Sequence, residues 1–235
     1  MPQTDTDTPA AGAHDLAEIR AEIDRIDDTL LELIERRLSH VLAVAEVKRS
    51  VAATALLLRP DREEAVLNRL ADRAAALRHD TIAVLWRELM GVSLQAQRRT
   101  ELVLHAARQP IRVTDATRQR FGCAAPIVIA TEAHEALEAA RSREAIAVIE
   151  LDAQSRWWAE LFQDPDLVIF DRVMEGEETL ALTIGRLTGD SLLGGVTYPI
   201  VSDVTLQQRT IAGEDIRPLA ACGHLRLCIA REARA

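Results

Sequence analysis

Two cationic side chains, Arg37 and Lys48, fall within an otherwise apolar stripe in the first long stretch of the chain. They are eleven positions apart, so on a helix they lie three turns from each other and their directions differ by only about 20°. Two cations in one apolar seam repel each other and lack solvent unless an anion lies between them. The pair predicts a site for a small anion. The alternative is that both side chains reach solvent or buried glutamates.

A third cation, Arg20, lies seventeen positions before Arg37, roughly 25 Å away along a helix axis. On its own helix Arg20 therefore cannot reach a ligand that Arg37 and Lys48 hold. Only an antiparallel partner helix would bring it to that ligand. The spacing thus indicates a second copy of the chain packed against the first.

The element that must position these cations runs from Asp15 to about Ser50. No glycine or proline interrupts it, and it would extend for roughly 54 Å as a helix. Its apolar residues recur every three or four positions, which predicts one buried face; they are Leu16, Ile19, Ile23, Ile26, Leu30, Leu33, Val41 and Val44. A helix of this length is expected to pack against other long helices.

Two more helices are predicted before the chain changes character. Pro60, followed by acidic residues, is a helix start signal, and this second helix is expected to end near His79. Asp80 or Thr81 is expected to cap a third helix that continues to about Arg108. The first hundred residues are therefore predicted to form a long, a short and a long helix.

Composition excludes several classes of function. The net charge of −9 argues against nucleic acid as a partner, and no apolar run is long enough to span a membrane. Three cysteines without CxxC spacing indicate neither a disulfide framework nor a zinc site. Residues 1–13 lack the regions of a signal peptide, so we expect a disordered tail and a cytoplasmic protein.

Beyond Pro110, short apolar runs alternate with helix-like segments, which predicts a small α/β domain at 110–235 after an all-helical domain at 14–109. The run Ala145–Leu151 is apolar nearly throughout, as is typical of an interior strand. The other expected strands are 127–130, 167–170, 180–185, 195–201 and 225–230, and the expected helices are 133–140 and 154–162. The predicted fold class is α plus α/β.

One ordered set of residues across the three helices resembles a known family. It consists of Arg20, Arg37 in LIERRLSHVLAVAEVK, Lys48, Arg62-Glu63 in RPDREEAVL, and Ser93 with Gln97 in GVSLQAQ. Residues 16–105 thereby resemble the all-helical class of chorismate mutase, in particular the form fused to prephenate dehydratase in many bacteria. Ser93 and Gln97 alone would indicate only a solvated polar face. One position departs from the family, since Arg59 stands where its best-known members carry an aspartate.

The resemblance implies an activity. It implies chorismate as the substrate, an intertwined homodimer with Arg20 supplied by the partner subunit, and conversion of chorismate to prephenate in phenylalanine and tyrosine biosynthesis. This rearrangement is intramolecular and needs no nucleophile, metal or cofactor. An enzyme accelerates it by holding the compact conformer and by stabilising charge on the ether oxygen.

The resemblance also implies a role for each site residue. Arg37 and the partner's Arg20 would bind carboxylates, as would Ser93. Lys48 and Gln97 would donate to the ether oxygen, and Glu63 would accept from the ring hydroxyl. Arg62 would support Glu63 or the ligand. Arg59 would keep at most a backbone contact to the substrate.

The C-terminal region faintly resembles part of a prephenate dehydratase domain, through ALEAARSREAIAVIELD, Trp157-Trp158 and LVIFDRV. The family's Glu-Asn-Ser element is replaced by Ile149-Glu150-Leu151-Asp152, and a Thr-Arg-Phe motif is missing. We therefore expect a degenerate domain without dehydratase activity. Two alternatives to the mutase stay open: a non-catalytic anion-binding or regulatory module, and a bifunctional mutase and dehydratase, which the missing motif weakens.

Overall fold

A computed structural model describes residues 11–48, 56–141, 144–152, 154–164, 166–187 and 196–231. Its first part contains helices α1 (Ala11–Lys48), α2 (Pro60–Ala71) and α3 (His79–Gln97). The predicted order of a long, a short and a long helix is confirmed. Helix α1 begins at Ala11, inside the segment expected to be a tail, and α2 ends earlier than expected.

The predicted continuation of α3 to Arg108 is wrong. The backbone becomes extended at Arg98, and the side-chain amide of Gln95 closes the turn by donating to the Thr100 carbonyl at 2.9 Å and accepting from its N–H at 3.2 Å. Strand β1 (Glu101–His105) follows, with its three central residues buried. In the structure the chain therefore passes from the helices to the sheet at residues 98–100, before the domain boundary expected between residues 109 and 110.

The α/β region continues after β1 with helices and strands in alternation. These elements are α4 (Pro110–Phe121), β2 (Ile127–Ile129), α5 (Ala133–Arg141), β3 (Ala145–Glu150), a 3-10 helix (Trp157–Gln163), β4 (Val168–Glu175), β5 (Glu178–Gly185), β6 (Val196–Thr197), β7 (Ile200–Ser202), α6 (Asp203–Ile211), β8 (Asp215–Cys222) and β9 (Leu225–Arg231). The predicted α plus α/β class is confirmed.

The strands form two sheets. The first has the order β2-β1-β3-β5-β4 and the second β6-β9-β7, with β8 also paired to β9. In the first sheet β1 pairs in parallel with β2 and β3, whereas β5 is antiparallel to both β3 and β4.

The centre of the first sheet is buried on both faces, as the apolar sequence of β3 predicts: every residue of β3 is buried. One face packs against α5 and the 3-10 helix, where both Trp157 and Trp158 are buried. The other face packs against α4 and against Leu56 and Leu58, which precede α2.

The helical and α/β regions consequently share one hydrophobic core. Leu56 donates its backbone N–H to the Arg186 carbonyl at 2.9 Å. Leu58 and Leu94 belong to the same buried cluster as Leu102 and other residues of the sheet. The segment before α2 thus attaches the three helices to the sheet.

Several tail elements differ from their predictions. Helix α4, helix α6 and strand β8 were not predicted, and the single strand expected at 195–201 is divided into β6 and β7. Residue 195, where that strand was expected to begin, lies outside the described residues. Within the part of the chain that the structure describes, every helix is too short or too polar to span a membrane.

Candidate active site

A cleft of about 650 Å³ lies between the carboxyl-terminal half of α1, helix α2 and helix α3. Six of the eight predicted site residues line it: Arg37, Arg59, Arg62, Glu63, Ser93 and Gln97. Three helices separated in sequence therefore bring most of the predicted set to one cavity. Apolar walls come from residues such as Leu33, Val41, Leu57, Val66 and Met90.

Arg37 of α1 is fixed against α3. Its Nη1 donates to the Ser93 hydroxyl at 2.5 Å and to the Leu89 carbonyl at 3.3 Å. The Ser93 hydroxyl in turn donates to the Leu89 carbonyl at 2.6 Å. Burial lowers the pKa of Arg37, because removal from water disfavours the charged form. Among the described residues these bonds come from Nη1 alone, and Nε and Nη2 would be the donors for an anion.

Gln97 lies one turn after Ser93 and lines the same cleft. Its Nε2 donates to the Ser93 carbonyl at 3.2 Å, within its own helix. This is a weak contact at the long end of the normal range. A rotation of the side chain would exchange it for a bond to a ligand.

Arg62 and Glu63 in the first turn of α2, and Arg59 immediately before the helix, line the cleft. Pro60 at the first helical position fixes this turn. Arg59 is held by Asp61 through two bonds, at 2.7 and 3.0 Å. The hydrogen bond from Arg59 lowers the pKa of Asp61. The charge of Arg59 is therefore shared with a carboxylate of its own helix.

Glu63 forms an ion pair with a residue that the sequence did not indicate. Its Oε2 lies 2.9 Å from Nη1 of Arg120 on α4, and Nε of Arg120 contacts Asp171 on β4. The three side chains are only 12–17% exposed. Burial alone would lower the pKa of Arg120, but the carboxylates of Glu63 and Asp171 raise it above its usual value. Arg120 is therefore a permanent cation in this position.

The cleft as a whole is cationic. Arg36 and Arg69 join Arg37, Arg59 and Arg62, whereas Glu63 is the one acidic side chain among the described residues that line it. Arg36 and Arg69 were not predicted. Arg69 could have been found from its spacing, because it follows Arg62 by seven positions, or two helical turns. Such a cleft suits a small ligand with more than one negative charge.

Two predicted site residues are not placed in this cleft. The side chain of Lys48 lies outside the described residues, although its backbone ends α1. Arg20 lies on the exposed first half of α1 and does not line the cleft. Arg20 and Arg37 lie on the same continuous helix α1, so about 25 Å of helix separates them.

The amino-terminal half of α1 exposes its apolar stripe. Leu16, Ile19, Ile23, Ile26 and Leu30 are each about half exposed, at 48–51%. A contiguous apolar surface of this kind is typical of a protein interface. A helix that projects from the chain with an uncovered apolar stripe is suited to pairing with a second helix.

Comparison with known proteins agrees with this geometry. Residues 19–98 match the family model for chorismate mutase type II. Over 80 residues the chain is 38% identical to the bifunctional chorismate mutase/prephenate dehydratase of Neisseria gonorrhoeae strain FA 1090, a match that covers 34% of this chain and 21% of that protein. The comparison with solved structures found no match.

The resemblance to chorismate mutases is thus confirmed for the amino-terminal region. The matched segment corresponds to about a fifth of the length of the curated relative. The resemblance of the C-terminal region to dehydratases stays a prediction.

Proposed function

We propose that this chain is a chorismate mutase that converts chorismate to prephenate. The observation that carries the proposal is the cationic cleft across α1, α2 and α3, which lies within the residues that match the type II family. Chorismate carries two carboxylates, a ring hydroxyl and an enol-pyruvyl ether. The cleft offers guanidinium groups for the carboxylates, one carboxylate for the hydroxyl and one amide for the ether oxygen.

The rearrangement requires the two reacting ends of chorismate to be held together. Arg37, anchored to α3 through Nη1, keeps its remaining donors for a carboxylate, and bidentate binding would fix the orientation of the substrate. Ser93 would donate to a carboxylate after its hydroxyl turns away from the Leu89 carbonyl, and Arg62 would neutralise negative charge in the cleft. Holding the compact conformer lowers the entropic part of the barrier.

The second contribution is electrostatic. As the C–O bond breaks, negative charge develops on the ether oxygen. Gln97 and Lys48 would donate to this oxygen in the transition state more strongly than in the ground state. Glu63 would accept from the ring hydroxyl through Oε1, because its contact with Arg120 uses Oε2. No proton transfer is needed.

We further propose that the working unit is a homodimer. The exposed stripe on the first half of α1 supports this arrangement, because an antiparallel partner helix would cover it. In that arrangement Arg20 of each chain would reach the cleft of the other, and two equivalent sites would result. The dimer also explains why α1 extends so far beyond the helices that it contacts.

A non-catalytic anion-binding module is the second candidate. Arg59 stands where the best-known mutases carry an aspartate for the substrate. The observation that favours the non-catalytic module is that Arg59 pairs with Asp61 in the structure. Binding of chorismate without turnover would establish this alternative. It does not explain the amide of Gln97 in the cleft, since an anion trap needs no donor for an ether oxygen.

The decisive experiment is the loss of chorismate absorbance on addition of the full-length chain. The variant Arg37→Gln should lower kcat/KM by about 100-fold, because charge-assisted hydrogen bonds contribute about 1.5–3 kcal/mol each. Arg73→Gln is the matched control, since Arg73 is exposed and does not line the cleft. A folded wild-type chain without turnover would refute the proposal, as would equal activity of the two variants.

A further inference from the structure

The Glu63 carboxylate lies at the meeting point of two cavities. It lines the cleft between α1, α2 and α3, and it also lines a second cleft of about 440 Å³ between the helices and the α/β region. Arg120 and Asp171 line only the second of these. A residue assigned to the substrate is therefore held from behind by the α/β region.

The cluster around Glu63 is charge-balanced. Arg87 of α3 lies close enough to interact electrostatically with Glu63, Arg120 and Asp171. Two cations and two anions from four different elements thus meet in a poorly hydrated place. Because an unpaired charge there would be costly, each member restricts the positions of the others.

The end of α4 that carries Arg120 is docked tightly on α3. Gly91 of α3 lets the Phe121 carbonyl approach so closely that an added Cβ would lie 2.5 Å from its oxygen. The Cys123 N–H donates to the Glu88 carboxylate at 2.9 Å. The Arg120 guanidinium also lies 4.8 Å from the centre of the Phe121 ring. Arg120 therefore has a fixed position and is not a mobile surface cation.

The geometry of Arg120 suits one task. Its Nη1 faces Glu63 while its Nε contacts Asp171, so the planar guanidinium bridges two carboxylates. A glutamate has three rotatable side-chain bonds, and anchoring Oε2 restricts the direction in which Oε1 can point. A carboxylate oriented in this way is ready to accept a hydrogen bond from a ligand in the cleft.

We propose that Arg120 is a positioning residue for the mutase site, and that through it the α/β region orients Glu63 toward the substrate. This inference rests on the proposed function. It gives the α/β region a direct role in the activity of the helical region. That role needs neither dehydratase chemistry nor a ligand of its own.

The test compares kcat/KM for chorismate in the full-length chain and in variants of Arg120, Arg112 and Glu63. Arg120→Gln should lower kcat/KM by about 10- to 100-fold. The kcat/KM of Arg120→Lys should lie between those of the wild type and Arg120→Gln, because an ammonium keeps the charge but does not bridge two carboxylates in the same way. Arg112→Gln is the matched control. Arg112 lies on the same helix and contacts Glu175 and Glu178 of the β4–β5 hairpin, away from Glu63.

The readout that separates positioning from mere stability is the combination with Glu63→Gln. If Arg120 acts through Glu63, adding Arg120→Gln to Glu63→Gln should cause little further loss. Losses that multiply would overturn the inference. If Arg120→Gln does not fold, Asp171→Asn replaces it. This variant removes one anchor of Arg120, and its expected smaller loss should also vanish when Glu63 is Gln.

The two proposals fail in different ways. Wild-type turnover with unchanged activity in Arg120→Gln overturns the positioning role and leaves the mutase intact. A folded wild-type chain that does not convert chorismate overturns the proposed function. It also overturns the role of the Arg120–Glu63 ion pair in catalysis.

Discussion

Replacement of Gly91 by alanine should destabilise the protein, although alanine is the better helix former. Gly91 is buried in α3, and its new Cβ would lie 2.5 Å from the Phe121 carbonyl oxygen. Contacts of this kind essentially never fall below 3.0 Å, so α3 and α4 must separate by at least 0.5 Å, the difference between 3.0 and 2.5 Å. The obstacle is backbone, which cannot rotate away as a side chain can.

The magnitude follows from two opposing effects. Alanine gains about 1 kcal/mol over glycine inside a helix, whereas overpacking costs about 1–3 kcal/mol. Because a backbone atom places the cost in the upper part of that range, we expect a net loss of about 1–2 kcal/mol in the free energy of unfolding. The separation of α4 should also draw Arg120 away from Glu63 and lower kcat/KM.

Gly185→Ala is the matched control. Its Cβ would also lie at 2.5 Å from a neighbour, but that neighbour is the Cδ1 atom at the end of the Leu56 side chain. A rotamer change of Leu56 can relieve this contact, so Gly185→Ala should cost less than Gly91→Ala. Urea unfolding of both variants measures the difference. A Gly91→Ala protein as stable as the wild type, or less affected than Gly185→Ala, would refute the packing argument.

Three further predictions concern the site, the dimer and pH. Gln97→Ala should lower kcat by about 10- to 100-fold with little change in KM, as expected for a bond made mainly in the transition state; a change confined to KM would indicate simple anion capture instead. Ile26→Glu on the exposed stripe of α1 should shift the sedimentation coefficient from that of a dimer to that of a monomer and abolish activity. Each isoleucine buried in the interface contributes about 1.5–3 kcal/mol to the free energy of association, and the symmetry of the dimer doubles the loss. An active dimer of this variant would contradict the proposed interface. Arg59 lowers the pKa of Asp61 in the folded protein. The stabilisation that this pair provides is therefore fully present above the pKa of Asp61 in the unfolded chain, and it is lost as the pH falls through the lower pKa of Asp61 in the folded protein. Arg59→Ala should therefore reduce stability at pH 7 by less than about 1 kcal/mol, and the difference from the wild type should vanish in acid; a difference that persists at low pH would assign the effect to packing.

The α/β region changes how the whole chain is understood. From the sequence it was a degenerate appendage with an open role. In the structure its sheet shares a hydrophobic core with Leu56, Leu58 and Leu94 of the helical region. The two regions are therefore expected to unfold together, which makes the full-length chain the proper object for every assay described above.

The amino-terminal helices and their site were readable from the sequence because their signals are local. Apolar spacing along α1 predicts a helix with one apolar stripe, and Pro60 marks the start of α2. The sequence predicted that this stripe is buried, whereas in the described chain its first half is exposed. The ordered cations and amide of the three helices pointed to one cleft, and the structure brings Arg37, Ser93 and Gln97 together. The side chain of Lys48 and the contribution of Arg20 from a partner stay predictions.

Only the tertiary structure decided the remainder, because it depends on partners distant in sequence. The residues of β1 continue a helical pattern, and they form a strand because neighbouring strands supply hydrogen bonds that the local sequence does not show. Arg120 has no motif around it, and its partner Glu63 is 57 positions away. A buried ion pair of this kind arises from the packing of α4 on α3 and β4, and no periodicity along a single element can reveal it.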